Sequence, residues 1–339
     1  NRLWSRYKLR IRRKRLLLRA WRKRRELQSV SRKTGSIADR DVLLFACVRN
    51  EALRLPYFLE HYRDLGVGHF LIVDNGSTDG GDKWLAEQPD VSLWRTTTSY
   101  KSARFGMDWL TALLWRYGSG HWCVTVDADE LLVYPDHQRR GLPELTTWLS
   151  ARGVRQMGAL MLDLYPKGPV RDATYAAGDD PVDVAPWFDV YGYWVQRQQK
   201  MGNLWCQGGP RARMFFADQP EKAPTLNKIP LVFWDRAYVY VNSTHNALPA
   251  SLNQTWAEQG AQEAVSGVLL HTKFLADAPA RAALERERGE HFADATHYQR
   301  FYDDMSENPD FWTPQSHRYS GWEELLDLRL MFAGNWLSR

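Results

Sequence analysis

The chain has 339 residues, 44% of them hydrophobic and 25% charged, which is enough for one large or two modest globular cores and too much for a small stapled scaffold. Its three cysteines, Cys47, Cys123 and Cys206, are few, odd in number and scattered, which points to a reducing compartment and argues against a cysteine-ligated metal. The formal net charge of +5 hides a division: residues 1–33 hold fifteen Lys or Arg against the single acid Glu26, leaving thirty basic against thirty-nine acidic residues in the body.

Within the basic segment, Trp4, Tyr7, Ile11, Leu18 and Trp21 fall at helical spacing. This predicts an amphipathic basic helix over 1–34 with one aromatic-aliphatic stripe. Three partners suit such a helix: an anionic membrane surface, a second protomer packed on the stripe, or nucleic acid. Aromatic anchors on one face fit the first best, and nucleic acid is the least expected. No apolar run approaches the ~20 residues that span a bilayer. Leu16-Leu17-Leu18 is too short for the apolar region of a secretory signal. The expected location is therefore cytoplasmic, peripheral on the inner face of the cell membrane.

After a polar link from Gly35 to Asp41, strands and helices alternate. Val42 to Val48 reads as a buried strand, Leu55 to Leu65 as a helix and Phe70 to Val73 as a second strand. A helix follows over Asp79–Glu87, then a third strand over Val91–Arg95, a helix over Ala103–Tyr117 and a fourth strand over Trp122–Val126. That alternation predicts a largely parallel sheet whose ligands collect at the carboxyl ends of its strands. Three of those ends are unusually polar: Arg49-Asn50-Glu51, Asp74 to Asp79, and Asp127-Ala128-Asp129-Glu130. Carboxylates crowded at one strand end repel one another unless a cation joins them. Hard oxygen ligands suit Mg²⁺ or Mn²⁺ shared with a substrate's phosphates.

The second half is less regular. Leu142–Ser150 reads as a helix, Ala159–Leu162 as a strand ending at Asp163, and 166–192 as a long functional loop. Leu231–Trp234 and Tyr238–Val241 are expected to pair as an antiparallel hairpin, and Val268–Leu270 is a strand running into His271. Residues 279–304 and Trp322–Met331 are expected to be helical.

Residues 43–136, through Arg49-Asn50-Glu51, Val73-Asp74-Asn75-Gly76-Ser77-Thr78-Asp79 and Asp127-Ala128-Asp129 taken in order, resemble the nucleotide-sugar-binding half of family 2 glycosyltransferases. The resemblance implies a GT-A type α/β fold, with a mostly parallel mixed sheet flanked by helices, plus the N-terminal basic helix and C-terminal helices. It divides the chain into a donor half (41–136), an acceptor and catalytic half (137–275) and a helical end (276–339). It also implies that Asn50, Glu51, Asp74 and Asn75 hold the base and ribose, with Lys101 or Arg104 near the diphosphate. Asp127 would touch the ribose and share the metal, Mn²⁺ or Mg²⁺, with Asp129, and His271 would complete the metal or diphosphate contacts, with His245 next. Many relatives have Asp-Asp where this chain has Asp74-Asn75.

Inverting members of that family take the acceptor's proton with a carboxylate shortly after a glycine-rich loop. Here Gly208-Gly209 precedes Asp218 and Glu221, so order favours Asp218, while Asp163 competes from its own strand end. The expected activity is transfer of a sugar from a nucleotide-diphosphate donor, UDP-linked before other nucleotides, to a hydroxyl of a glycan or lipid-linked acceptor, as in cell-surface polysaccharide assembly. Two rivals stand beside it. A sugar nucleotidyltransferase needs a Gly-rich basic loop that Arg49-Asn50-Glu51-Ala52 does not supply, and a non-catalytic binding protein would keep the fold without the chemistry.

Overall fold

The structure, a computed structural model, describes residues 2–253, 264–288 and 295–338. It is an α/β protein with one nine-stranded mixed sheet flanked by helices. In chain order the strands are β1 (Gln28–Ser31), β2 (Val42–Val48), β3 (Val67–Asp74), β4 (Val91–Arg95), β5 (Trp122–Thr125), β6 (Glu130–Val133), β7 (Gln156–Asp163), β8 (Asn227–Phe233) and β9 (Gly267–His271). Across the sheet they stand β1-β4-β3-β2-β5-β8-β7-β9-β6. The pairings β4-β3, β3-β2, β2-β5 and β7-β9 are parallel, and β8 runs against both β5 and β7. Six strands thus point one way, and β1, β8 and β6 oppose them.

Alternate side chains of a strand face opposite sides of its sheet, and β2 shows how two cores follow from that. Val42, Leu44, Ala46 and Val48 enter one core with Phe58 and Tyr62 of α2 (Leu55–Asp64) and Leu145 and Leu149 of α5 (Leu142–Ala151). Leu43 and Phe45 enter the other with Trp109 and Leu113 of α4 (Met107–Leu113). Burial on both faces is why these strands read as continuous apolar runs. The shorter α3 (Gly81–Glu87) follows β3.

The structure departs from expectation at three places. The 1–34 segment is not helical throughout: α1 (Arg2–Lys23) lies on the body, and the segment after it supplies β1, an edge strand antiparallel to β4. The Leu231–Trp234 and Tyr238–Val241 hairpin does not form. Instead β8 inserts between β5 and β7, and Val239–Tyr240 pairs with Ala247–Leu248. The helix expected from Ala103 starts at Met107, because Arg104, Phe105 and Gly106 have φ of 54°, 57° and 76°, a left-handed run that no helix continues through. At Gly106 a Cβ would lie 3.1 Å from the Cys47 side chain, so the close approach of this turn to β2 also needs glycine. The helical character expected over 279–304 holds where the residues are described, over Ala278–Arg288 and Ala295–Ser306, the residues between lying outside those described.

The sheet is continuous across residue 136, since β6 from the first half closes its far edge beside β9. No described helix is long and apolar enough to cross a membrane.

Candidate functional site at the carboxyl edge of the sheet

All six co-directional strands end on one edge, at Val48, Asp74, Arg95, Thr125, Asp163 and His271. The register puts Asp163 of β7 opposite His271 of β9, and His271 opposite Glu130 of β6. Three chemically active side chains therefore stand in one row on neighbouring strands. Asp129 joins them from the turn before β6, held there because Thr272 donates its backbone N–H to the Asp129 carbonyl at 2.8 Å.

His271 is the hub. Its Nδ1 lies 2.6 Å from Asp163 Oδ1 and its Nε2 lies 3.3 Å from Asp129 Oδ2, so the ring is gripped from both sides. Burial works against its charge, but the two carboxylates, Asp129 foremost, outweigh that and raise its pKa. Burial likewise works against ionised Asp129, yet His271, Lys273 and Arg54 hold its carboxyl well below the usual range. Asp163 is also lowered despite burial, by Arg211, whose Nε donates at 2.7 Å, and by His271. Ligand atoms of Asp129, Glu130 and His271 all fall within 4.8 Å of one another. Two carboxylates and an imidazole are a donor set that Mn²⁺ accepts readily. The Asp163 contact fixes the orientation of the His271 ring.

Asp127 does not share that cluster. Lys228 on β8, 3% exposed, donates from Nζ to Asp127 Oδ2 at 3.1 Å and also bonds Glu130. The cation demanded by the crowded acids is thus partly supplied by the chain itself. Burial raises the Glu130 pKa, Lys228 opposing and Asp127 adding to the shift. Asp127, expected among the metal ligands, is thus engaged in an ion pair with Lys228, while Glu130 stands within the Asp129 and His271 cluster. Lys273 adds a second cation beside Asp129; its pKa is lowered by burial, with Arg211 and Arg281 contributing in the same direction.

The residues expected to hold base and ribose do lie at this edge, but their polar atoms build its loops. Asp74, fully buried, accepts the N–H groups of Gly76 and Ser77 at 3.1 Å. Asn75 Nδ2 donates to the carbonyls of Thr96 and Thr98, and Asn50 Oδ1 accepts from the Thr78 N–H at 2.8 Å. Both oxygens of Glu51 are taken by Arg281, with Arg54 3.4 Å away. Arg54 also makes a bidentate pair with Asp277 at 2.8 Å per bond. This network fastens the Ala278–Arg288 helix to the end of β2.

Arg104 is likewise engaged, with Asp108 at 3.2 Å and the Tyr240 carbonyl at 2.6 Å, and Lys101 is exposed on a 3₁₀ turn. Asp163, with one oxygen on Arg211 and the other on His271, orients the imidazole and is not a free base. Asp218 sits on the exposed turn after the helix Gly209–Phe215. His245 donates Nδ1–H to the Asn227 carbonyl at 2.7 Å and is held neutral by burial, its pKa pushed down to about 3.

Lys228, Arg54 and Arg281 join the site without having been expected there. Only Lys228 left a local sign, a charge opening the apolar run Ile229-Pro230-Leu231-Val232-Phe233.

Fold and site together define an α/β protein whose acids, imidazole and lysines gather at the carboxyl edge of a mixed sheet, an arrangement compatible with nucleotide binding. A scan against protein-family models and a search of curated proteins return no match for this chain.

Proposed function

We propose that the chain is a metal-dependent, inverting glycosyltransferase of the GT-A type, acting on a nucleoside diphosphate sugar, a UDP-sugar before others. The observation that carries this reading is the row Asp163, His271 and Glu130 with Asp129 against the same imidazole, set where open α/β sheets collect ligands. Asp129, Glu130 and His271 would hold Mn²⁺ or Mg²⁺. Such an ion, when bound, stabilises the negative charge that grows on a departing diphosphate.

The protein's own share is positional. Asp163 fixes the imidazole, Lys228 opposes the burial that would neutralise Glu130, and Lys273 adds a cation beside Asp129. An acceptor hydroxyl attacks the anomeric carbon as the bond from that carbon to the diphosphate oxygen breaks, and its proton passes to a carboxylate. Of the two carboxylates weighed for that step, Asp218 is the one whose side chain is exposed. A cavity of about 430 Å³, lined by Lys167, Asp172, Asp183, Trp187 and Arg318 among others, opens beyond the end of β7. Its aromatic face and charged groups suit a glycan acceptor.

The test is metal-dependent release of the nucleoside diphosphate from a panel of nucleotide sugars. Release in the native chain and its loss in Asp129→Asn support the reading, and no release from any donor sinks it. One observation favours a second reading, a non-catalytic binder: Lys228 and Arg211 already balance much of the acidic charge. Such a binder retains nucleotide without turning it over.

A further inference from the structure

α1 has two apolar faces, and only one is covered. Leu9, Leu16 and Leu17 pack against a small core of Met201, Val239, Val241 and Leu248, and Ala20 is 2% exposed. Arg19 locks the same face, pairing with the fully buried Asp108 at 2.5 Å. At about 100° per residue, Trp4, Tyr7, Leu18 and Trp21 fall on the opposite side. There they are 55%, 54%, 47% and 44% exposed. An apolar groove of about 230 Å³ between α1 and α4 continues this stripe onto the body, where Trp115 is 43% exposed. Lys8, Arg10, Lys14, Arg15 and Arg22, all exposed, lie along and between these side chains. Lys8 lies 5.3 Å from the centre of the Trp4 ring and Arg24 4.0 Å from that of Trp21.

We infer that the outward face of α1, extended by Trp115, is a docking surface for an anionic lipid bilayer. Large aromatic side chains bounded by cations on a helix already fixed along its other side match the headgroup boundary of a membrane. There the rings enter the apolar margin, and each cation meets negative surface potential. A stripe this exposed on a chain with a complete core on its other side is the mark of an interaction surface. Charge chooses the occupant, because fifteen Lys or Arg in residues 1–33 repel a second copy of the same segment. This inference does not depend on the reading of the Asp129 cluster.

The test is co-sedimentation of the full chain with vesicles of phosphatidylcholine alone and of phosphatidylcholine with phosphatidylglycerol. The triple variant Trp4→Ser/Tyr7→Ser/Trp21→Ser serves as the comparison, since it alters only exposed side chains. Binding to the anionic vesicles is expected, weaker in high salt, and reduced on the order of tenfold or more in the variant with an unchanged melting temperature. Equal binding to both vesicles, or to neither, overturns the inference. So does a dimer, seen by sedimentation velocity, that the triple variant abolishes while vesicle binding persists, or retention on a mixed-sequence oligonucleotide with no vesicle binding.

Discussion

Replacing Lys228 by Met removes the one ammonium between Asp127 and Glu130. The two acids respond differently. Asp127's side chain is 46% exposed, so water screens it and its loss of a partner costs about 0–1 kcal/mol. Glu130's side chain is 1% exposed beside a lysine that is 4% exposed, and breaking such a buried pair costs about 3–5 kcal/mol. The variant has a way out, because Glu130 takes up a proton. Its folded pKa, already raised to about 7 by burial in the native chain, rises further without Lys228, so the variant's folded state binds more protons than the unfolded state over a wider window. Stability of the variant therefore falls as pH rises through that window, and its deficit is larger at pH 8 than at pH 5.

Urea denaturation of both chains at the two pH values measures this, with midpoint and slope fitted separately. The double variant Lys228→Met/Glu130→Gln should recover much of the loss, since the stranded charge is gone. Added Mn²⁺ should stabilise Lys228→Met more than the native chain, because a cation then has a vacated carboxylate to join. A deficit below ~1 kcal/mol at pH 8, or one independent of pH, refutes the claim that Lys228 opposes protonation of a buried carboxylate.

Other consequences follow from the same side chains. Asp163→Asn should weaken Mn²⁺ binding by about 10–100-fold, as loss of an outer-shell partner does, read by titration calorimetry; unchanged affinity would mean that Asp163 does not orient His271. His61, whose ring nitrogen meets the Leu132 carbonyl at 3.0 Å, has its pKa pushed down by burial to about 4. Its folded form resists protonation, so stability is present above the unfolded value near 6.5 and is lost as pH falls from there toward 4. The loss is at most about 3 kcal/mol, and His61→Gln should flatten that part of a stability-versus-pH curve. In the network around Glu51, Arg281→Met should destabilise more than Arg54→Met, because it strands the Glu51 carboxylate, 10% exposed, whereas loss of Arg54 strands Asp277, 30% exposed and still 3.6 Å from Arg281. Equal losses in thermal melts would contradict the burial argument.

The sheet was legible where its signal is local. Apolar runs such as Val42–Val48 and Phe70–Val73 are buried on both faces, and their polar ends fall on one edge because parallel strands share a direction. Asp129 and His271 were likewise foreseeable as a pair of strand-end side chains, and they do meet. What escaped was non-local. Glu51 and Arg281 are 230 positions apart, and nothing near Glu51 says that its carboxylate is taken. Asp235-Arg236 looked like a hairpin turn, yet β8 gains more by burying Leu231 and Val232 between β5 and β7 than by pairing with its neighbour. The spacing of Trp4, Tyr7, Leu18 and Trp21 was real, but Leu9, Leu16, Leu17 and Ala20 form the face that meets the body. A helix with two apolar sides does not announce which one is inward.

The most direct measurement is the melting temperature of the native chain and of Asp129→Asn with UDP or GDP, each with and without Mn²⁺. A ligand at a hundred times its Kd stabilises by about 2.7 kcal/mol. The account predicts that one nucleotide raises the native melting temperature only when Mn²⁺ is present and leaves Asp129→Asn unmoved. An equal rise in both proteins, or no response to any nucleotide with the metal, would contradict it.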